Sequence, residues 1–215
     1  MRNISKTIPL TIALFGSLAA TQVASAAVSG NIGFASQYVF RGILQSATSA
    51  SAGLDYSHDS GFYAGTWIAQ VGDAVTNADL GLEEDLYAGY GGEYQGFSYD
   101  LNFTNYDYTS SFDENYQEVN LGLGYGPVSV SYTEGTYDSK PNSQDYSVTT
   151  VSATKNGFTL LYGDYGKDFA GSWYEVGYSA TVGDFDAGVN YILQDKDLGE
   201  DDFLVFSLGK TFDIM

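Results

Sequence analysis

A strict alternation of apolar and polar side chains is the feature that most constrains the fold of this chain. Between residues 28 and 40 the even positions are mainly apolar and the odd positions mainly small or polar: Val28, Gly30, Ile32, Phe34, Ser36, Tyr38 and Phe40 against Ser29, Asn31, Gly33, Ala35, Gln37, Val39 and Arg41. A period of two places these sets on opposite faces of a β-strand. The pattern predicts one strand over 28–40, with Arg41 at its far end.

The same alternation recurs along the rest of the chain. It predicts further strands over 49–57, 62–69, 82–91, 97–104, 118–125, 128–132, 146–154, 158–165, 173–182, 185–193 and 203–212. Asn156-Gly157, between two such runs, is the strongest short-range signal for a β-hairpin. No helical period of ~3.6 is sustained after Ala26. The chain is therefore predicted to be all-β, with about 12 strands.

The lengths of the predicted connections and strands indicate a membrane barrel. Turns of ~2–6 residues alternate with loops of ~7–12, as in outer-membrane barrels with short periplasmic turns and longer external loops. The strands of ~8–13 residues are close to the ~9–11 that cross a bilayer at a tilt. Because lipid offers no hydrogen bonds, such a sheet must close. We expect a transmembrane antiparallel β-barrel with both termini periplasmic, Tyr38 and Phe40 facing lipid, and Arg41 facing the lumen.

The N-terminus has the pattern of a cleaved export signal. Arg2 and Lys6 precede an apolar stretch over 8–20, and Ala24-Ser25-Ala26 forms a small-x-small cleavage site. That stretch is shorter than the roughly 20 residues of a transmembrane helix. We expect residues 1–26 to be a signal peptide and residues 27–215 to be the barrel domain, exported to the outer membrane of a Gram-negative cell.

The charge balance excludes some partners. Removing Arg2 and Lys6 from the 8 basic residues leaves 6 against 27 acidic ones, a net charge of −21. Nucleic acid is excluded as a partner because phosphate binding needs a basic face. The absence of cysteine excludes thiolate metal sites and cysteine nucleophiles. The expected partners are outer-membrane lipid, lipopolysaccharide, the barrel-assembly machinery and small solutes. No cofactor is expected, and the oligomeric state is left open.

Three short motifs resemble a known family. SQYVFRGILQS at 36–46, SGFYAGTW at 60–67 and KTF at 210–212 are similar to segments of the proteobacterial Gcw_chp family, also called the TorF-type porins. The similarity is sharpest over 28–67. The resemblance implies an outer-membrane porin with a signal peptide, and it assigns no role to an individual residue.

A set of polar residues is predicted to line the lumen. These candidates are Arg41, Gln37, Asp55, Asp100, Asn102, Glu118, Asn120, Asp186 and Asn190. Carboxylates along a pore attract cations and repel anions, so the set suits a path for neutral or cationic solutes. The same residues are also consistent with the wet face of a plugged barrel. Arg41 either contributes to selectivity or forms an ion pair with an acid such as Asp55 on the neighbouring strand.

These features favour a passive channel for small hydrophilic solutes. The alternative is a structural or surface-binding barrel with a plugged lumen, whose acidic loops act outside. Those loops lack the Asp-x-Asp-x-Asp-Gly spacing of a calcium loop. A hydrolase is the least favoured function, because the single histidine, His58, lies in a predicted periplasmic turn and no Gly-x-Ser-x-Gly motif accompanies it. We therefore expect no enzymatic activity.

Overall fold

The computed structural model describes residues 27–73 and 78–215, so the predicted signal peptide lies outside the described residues. The described strands are β1 (Ala27–Ala35), β2 (Tyr38–Phe40), β3 (Ile43–Ser46), β4 (Ser49–Ser57), β5 (Phe62–Asp73), β6 (Ala78–Tyr94), β7 (Phe97–Tyr108), β8 (Tyr116–Tyr125), β9 (Val128–Tyr137), β10 (Gln144–Lys155), β11 (Phe158–Lys167), β12 (Ser172–Val182), β13 (Phe185–Gln194) and β14 (Asp202–Asp213). No helix in this part of the chain is both long and apolar enough to span a membrane.

Twelve of the described strands form a closed antiparallel barrel. From β4 to β14 each strand pairs with the next, and β1 closes the ring by pairing with both β4 and β14. Gly33, for example, is opposite Gly209 on one side and Ser51 on the other. Closure pairs the backbone on both edges of every strand, which is what a lipid environment requires. The predicted fold and strand number are confirmed.

The outward face of the barrel is apolar along the middle of the strands. Leu86, Leu121 and Leu160 are outward residues with 59%, 45% and 59% of their surface exposed, which suits contact with lipid rather than with a core. Polar outward residues lie towards the end with the longer loops. There the Tyr132 hydroxyl donates to Glu134 at 2.8 Å, so tyrosine and carboxylate mark the edge of the apolar belt.

The connections confirm the expected asymmetry. The turns at 58–61, 95–96, 126–127, 156–157 and 183–184 share one end of the barrel with Ala27 and Met215. The connections at the other end include the longer ones, 109–115, 138–143 and 195–201, and the four-residue 168–171. The strands run further towards the loops than predicted; β6 covers Ala78–Tyr94 where 82–91 was expected. Polar outward residues near the loops do not end a strand, because the hydrogen bonds between neighbouring strands continue beyond the lipid into water.

The first predicted strand is wrong in its second half. β1 ends at Ala35, and β2 and β3 form a separate two-stranded hairpin with Arg41 and Gly42 in its turn. Both turn residues have positive φ, 49° and 84°, which is typical of a type I′ hairpin turn. The hairpin lies inside the barrel, where Tyr38 is 2% exposed. Tyr38 and Phe40 therefore do not face lipid, because Gly42 allows the chain to reverse and carry both rings inward.

Candidate functional site: a hairpin inside the barrel

The β2–β3 hairpin, residues 38–46, reaches from one wall of the barrel towards the opposite wall. At its base Ser46 pairs with Gly72 of β5, and the Ser46 hydroxyl donates to the Gly72 carbonyl at 2.9 Å. At its tip the Gly42 carbonyl accepts a hydrogen bond of 2.7 Å from the Gln194 side chain of β13. The hairpin is therefore anchored at both ends and crosses the lumen.

A buried ion pair joins the tip of the hairpin to β8. Both terminal guanidinium nitrogens of Arg41 donate to the Glu118 carboxylate, Nη2 to Oε2 at 2.9 Å and Nη1 to Oε1. The Tyr146 and Tyr106 hydroxyls donate to the same carboxylate at 2.6 and 3.0 Å. The exposed fraction is 5% for Arg41 and 1% for Glu118. This bidentate pair has both oxygens partnered, the condition under which a buried charge pair is tolerated.

Of the two alternatives for Arg41, the structure shows an ion pair with a lumen acid, and that acid is Glu118. Asp55, the example given for such an acid, accepts hydrogen bonds from Asn31, at 3.0 Å, and from the Tyr87 hydroxyl. Glu118 is 77 residues from Arg41 in sequence, and only closure of the barrel brings the two side chains together.

The shape of the wall holds the hairpin tip. A Cβ at Gly42 would lie 2.9 Å from the Cβ of Trp173 and 3.2 Å from Cδ1 of Leu198, so the tip has no room for a side chain there. Trp173 is fully buried. Arg41 adopts a positive φ that is uncommon for a residue with a side chain. Its carbonyl accepts a hydrogen bond from the Tyr165 hydroxyl at 3.3 Å.

A second buried contact ties the hairpin to β6. The Tyr38 hydroxyl donates to Glu83 Oε1 at 2.6 Å, and the Tyr38 ring packs edge-on against Trp67 at 5.8 Å between centroids. Asp85 is the next inward residue of β6. The sequence candidates did not include Glu83 or Asp85, although the alternation of β6, with Leu82 outward, places both inward.

The lumen is divided into two zones by the hairpin. At the level of the hairpin the inward side chains are buried: Glu83, Asp85, Thr104, Tyr106, Glu118, Thr133, Tyr146, Val148, Tyr165, Trp173, Ile192, Phe203 and Val205. Towards the periplasmic end many inward residues are small or polar and only partly buried: Asn31, Gly33, Gly53, Asp55, Gly65, Asp100, Asn102, Asn120, Gly122, Ser131, Thr150, Ser152, Asp186, Gly188, Asn190 and Ser207. Solvent therefore reaches the periplasmic half of the lumen, and the hairpin fills the external half.

A cavity of about 50 Å³ lies between the hairpin tip and the external loops. Phe40 and Arg41 of the hairpin line it together with Asp113 and Phe169 of the loops. Such a volume holds a few water molecules and not a solute. The hairpin therefore closes the lumen from the external side.

Four of the predicted lumen residues lie in the open periplasmic half on β4, β7 and β8: Asp55, Asp100, Asn102 and Asn120. The Thr133 hydroxyl on the facing strand donates to Asn120. Asp100 accepts hydrogen bonds from Tyr63 at 2.7 Å and from Asn102 at 2.6 Å. Asn120 donates to Asn102 at 3.0 Å. These side chains form a continuous polar ladder along the wall.

Of the remaining candidates, Asp186 and Asn190 line the same half of the lumen on β13, whereas Gln37 does not. Asp186 accepts a hydrogen bond of 2.7 Å from Thr181, and Asn190 lies inward on the same strand, β13, against the bare face of Gly177. Gln37 lies in the bend between β1 and β2 and not on the barrel wall, because β1 ends before it. The candidates are therefore not gathered into one site, and their part in selectivity stays a prediction.

His58 lies in the exposed turn between β4 and β5, at the same end of the barrel as Ala27 and Met215. Its Nδ1 is 2.9 Å from the Ser60 hydroxyl oxygen and accepts from the Ser60 amide at 3.1 Å. These contacts fold the turn on itself. The hairpin and the acidic lumen are at a different level of the barrel.

The closed ring, the apolar outer belt and the polar lumen define a β-barrel of the outer-membrane type. A family model described as "Bacterial protein of unknown function (Gcw_chp)" matches residues 19–211, and the chain belongs to this family. A search of curated proteins found no match.

Solved membrane barrels share the fold at low sequence identity. The KdgM porin aligns with a TM-score of 0.55 and 10% identity, covering 88% of this chain and 99% of the porin. A membrane protein from a study of in-meso crystallization aligns with a TM-score of 0.58 and 11% identity, covering 87% of this chain and 84% of its own. At these identities the likeness extends to the fold alone.

Proposed function

We propose that this protein is a porin-like channel of the outer membrane, for passive diffusion of small hydrophilic solutes that are neutral or cationic. The hairpin is its constriction and closes it in the conformation described. The observation that carries the proposal is the two-zone lumen. The periplasmic half is lined by small, polar, solvent-accessible side chains, while a single hairpin, inserted from the external side, blocks the rest.

The size of the barrel supports a transport path. About eight strands make an interior that side chains can fill, whereas twelve leave a wider one. Here many inward positions of the open half carry glycine, serine, threonine or asparagine, alongside Tyr63 and Tyr87, which donate to Asp100 and Asp55. A wall of small and polar side chains that are only partly buried suits a hydrated path. The likeness in fold to a solved porin and the resemblance to the TorF-type porins also favour this function.

The charge of the lumen favours cations over anions. The inward carboxylates of the described strands are Asp55, Glu83, Asp85, Asp100, Glu118, Glu175 and Asp186. Arg41 is held by Glu118 and so contributes little field of its own. A low-dielectric wall focuses the remaining negative potential along the axis. We therefore propose that anionic solutes are excluded.

Conductance in planar bilayers tests this function. Wild-type protein should show rare or small openings, and Arg41→Ala should show more frequent openings with a reversal potential shifted towards the cation. Lys140→Ala is the matched control, because it also removes a cation, but from an exposed pair with Glu114 at 3.6 Å. The control should behave as wild type. Absence of conductance in both wild type and Arg41→Ala, or clear anion selectivity, would refute the proposal.

A second candidate is a permanently plugged barrel that acts through its outer surface. The hairpin favours it, because Arg41 and Tyr38 are both buried and hydrogen-bonded to the wall. Surface binding together with silent bilayers for all three proteins would support it. We also propose that the barrel has no enzymatic activity. Hydrolysis of lipid or peptide that disappears in His58→Ala would contradict this.

A further inference from the structure

We propose that Glu83 and Asp85 together bind a divalent cation of the Mg²⁺ and Ca²⁺ class, between β6 and the hairpin. This site concerns ion binding in the closed barrel, so it does not depend on whether the barrel conducts. Both side chains are inward residues of β6, two positions apart, and so they lie on the same face of the strand.

Each of these carboxylates has an oxygen without a hydrogen bond. Glu83 is 1% exposed and Asp85 is 8% exposed. Within the described residues, Glu83 Oε2 and Asp85 Oδ1 accept no hydrogen bond, and both atoms are buried. A buried carboxylate oxygen without a partner is costly, and native structures usually satisfy such atoms. Two such oxygens on successive inward residues of one strand suit a ligand that supplies positive charge.

The hydrogen bond from Tyr38 favours the ionised form of Glu83. The Tyr38 hydroxyl donates to Glu83 Oε1 at 2.6 Å, a length typical of a hydroxyl on a charged carboxylate. An ionised, buried Glu83 then requires a counter-charge. The ion pair described for Arg41 is with Glu118 and not with Glu83. A cation from solution would supply the charge that Glu83 and Asp85 need.

The donor atoms suit a hard divalent ion. Carboxylate oxygens are the preferred ligands of Mg²⁺ and Ca²⁺, and Mg²⁺ is often held by only one or two carboxylates with water completing its shell. The described residues contain no group of three or more His, Cys, Asp or Glu side chains that could hold a metal ion. Glu83 and Asp85 would therefore provide two carboxylates, and water and neutral oxygens the other ligands. A bound ion would also hold the base of the hairpin to β6, because Tyr38 is attached to Glu83.

Terbium luminescence provides a direct test on the folded protein in detergent. Trp67 pairs with Asp85 across β5 and β6 and packs against Tyr38, so it is placed to sensitise Tb³⁺ bound at Glu83 and Asp85. Tryptophan-excited emission should appear, fall on addition of Mg²⁺ or Ca²⁺, and be lost in Trp67→Phe. In the double variant Glu83→Gln, Asp85→Asn, affinity should fall by about tenfold or more, since both charged ligands are gone.

The control variant is Asp100→Asn, which neutralises a carboxylate in the open half of the lumen, and it should leave this emission unchanged. Circular dichroism and the heat-dependent mobility of the barrel on gels confirm that each variant is folded. Emission of equal strength in the Glu83/Asp85 double variant would overturn the proposal. The proposal would also be overturned if folded wild-type protein gave no Tb³⁺ emission that Mg²⁺ or Ca²⁺ could reduce. Protons, and not a metal ion, would then neutralise Glu83 and Asp85.

Discussion

Removing the guanidinium of Arg41 should release the hairpin from the lumen. In Arg41→Ala the closed state leaves Glu118 buried with two tyrosine hydroxyl donors but no counter-charge. Breaking a buried pair from one side costs about 3–5 kcal/mol. The pair joins the hairpin to β8 and does not join two barrel strands. When the hairpin leaves, water can reach Glu118, so the cost falls on the closed state alone.

The expected change in the opening equilibrium is large. At about 1.4 kcal/mol for each factor of ten, the fraction of open hairpin should rise by roughly two to four orders of magnitude. Arg41→Lys should give an intermediate rise, because lysine keeps the charge but cannot reproduce the two parallel hydrogen bonds. Lys140→Ala, at an exposed ion pair, should have an effect below about 1 kcal/mol.

A single introduced thiol measures the opening. The chain has no cysteine, so Val39→Cys creates one labelling site on the hairpin, at a position that is 3% exposed. The labelling rate follows the open fraction when the hairpin recloses faster than the reagent reacts. Rates are compared for Val39→Cys alone and with Arg41→Ala, Arg41→Lys or Lys140→Ala. A rise of less than about tenfold with Arg41→Ala, or an equal rise with Lys140→Ala, would refute a locking role for the ion pair.

Two further predictions concern the wall and the external loops. Leu121→Arg, on the lipid face of β8, should lower the free energy of unfolding by about 2–4 kcal/mol, whereas Gly122→Arg, which points into the lumen, should lower it much less. Urea unfolding in lipid vesicles measures both losses. Equal losses would contradict the assignment of the two faces. In the loop 195–201, desolvation alone would raise the pKa of Asp195, but hydrogen bonds from Ser172, Asp197 and Leu198 outweigh it and hold the pKa below its usual range. The stabilisation from Asp195 is therefore present above about pH 4 and is lost as the pH falls further, so hydrogen exchange of the loop should accelerate only in that acid range. Asp195→Ala should exchange fast at neutral pH with no acid step, and an unchanged acid step in that variant would assign it to another group.

The architecture of the wall was predictable from local pattern. Leu121 and Gly122 show why: adjacent residues of a strand point to opposite faces, so a period of two in the sequence already separates lipid from lumen. The short turns were also predictable, for example at Asn156-Gly157, where both residue types favour the positive φ of the turn. The extent of the strands was less predictable. Residues 78–81 of β6 are polar or small in part, and their place in the ladder depends on the partner strand continuing beyond the membrane.

The site was predictable only in part. Alternation placed Glu118, Asp100 and Asn102 inward, and extended to β6 it would also have found Glu83 and Asp85. It failed for the hairpin, because Tyr38 and Phe40 continue the even-numbered apolar positions of β1 and were assigned to the same strand. Gly42 was the signal for the reversal, since it supplies the positive φ of the turn.

By itself, the sequence determined a twelve-stranded amphipathic sheet, its two faces and its asymmetric connections, all of which depend on neighbours in the chain. Only the tertiary structure decided that one hairpin enters the lumen and that Arg41 binds Glu118. The two residues are 77 positions apart. Their contact depends on the register and closure of the whole ring, and a local sequence pattern cannot predict a contact between residues so far apart in the chain.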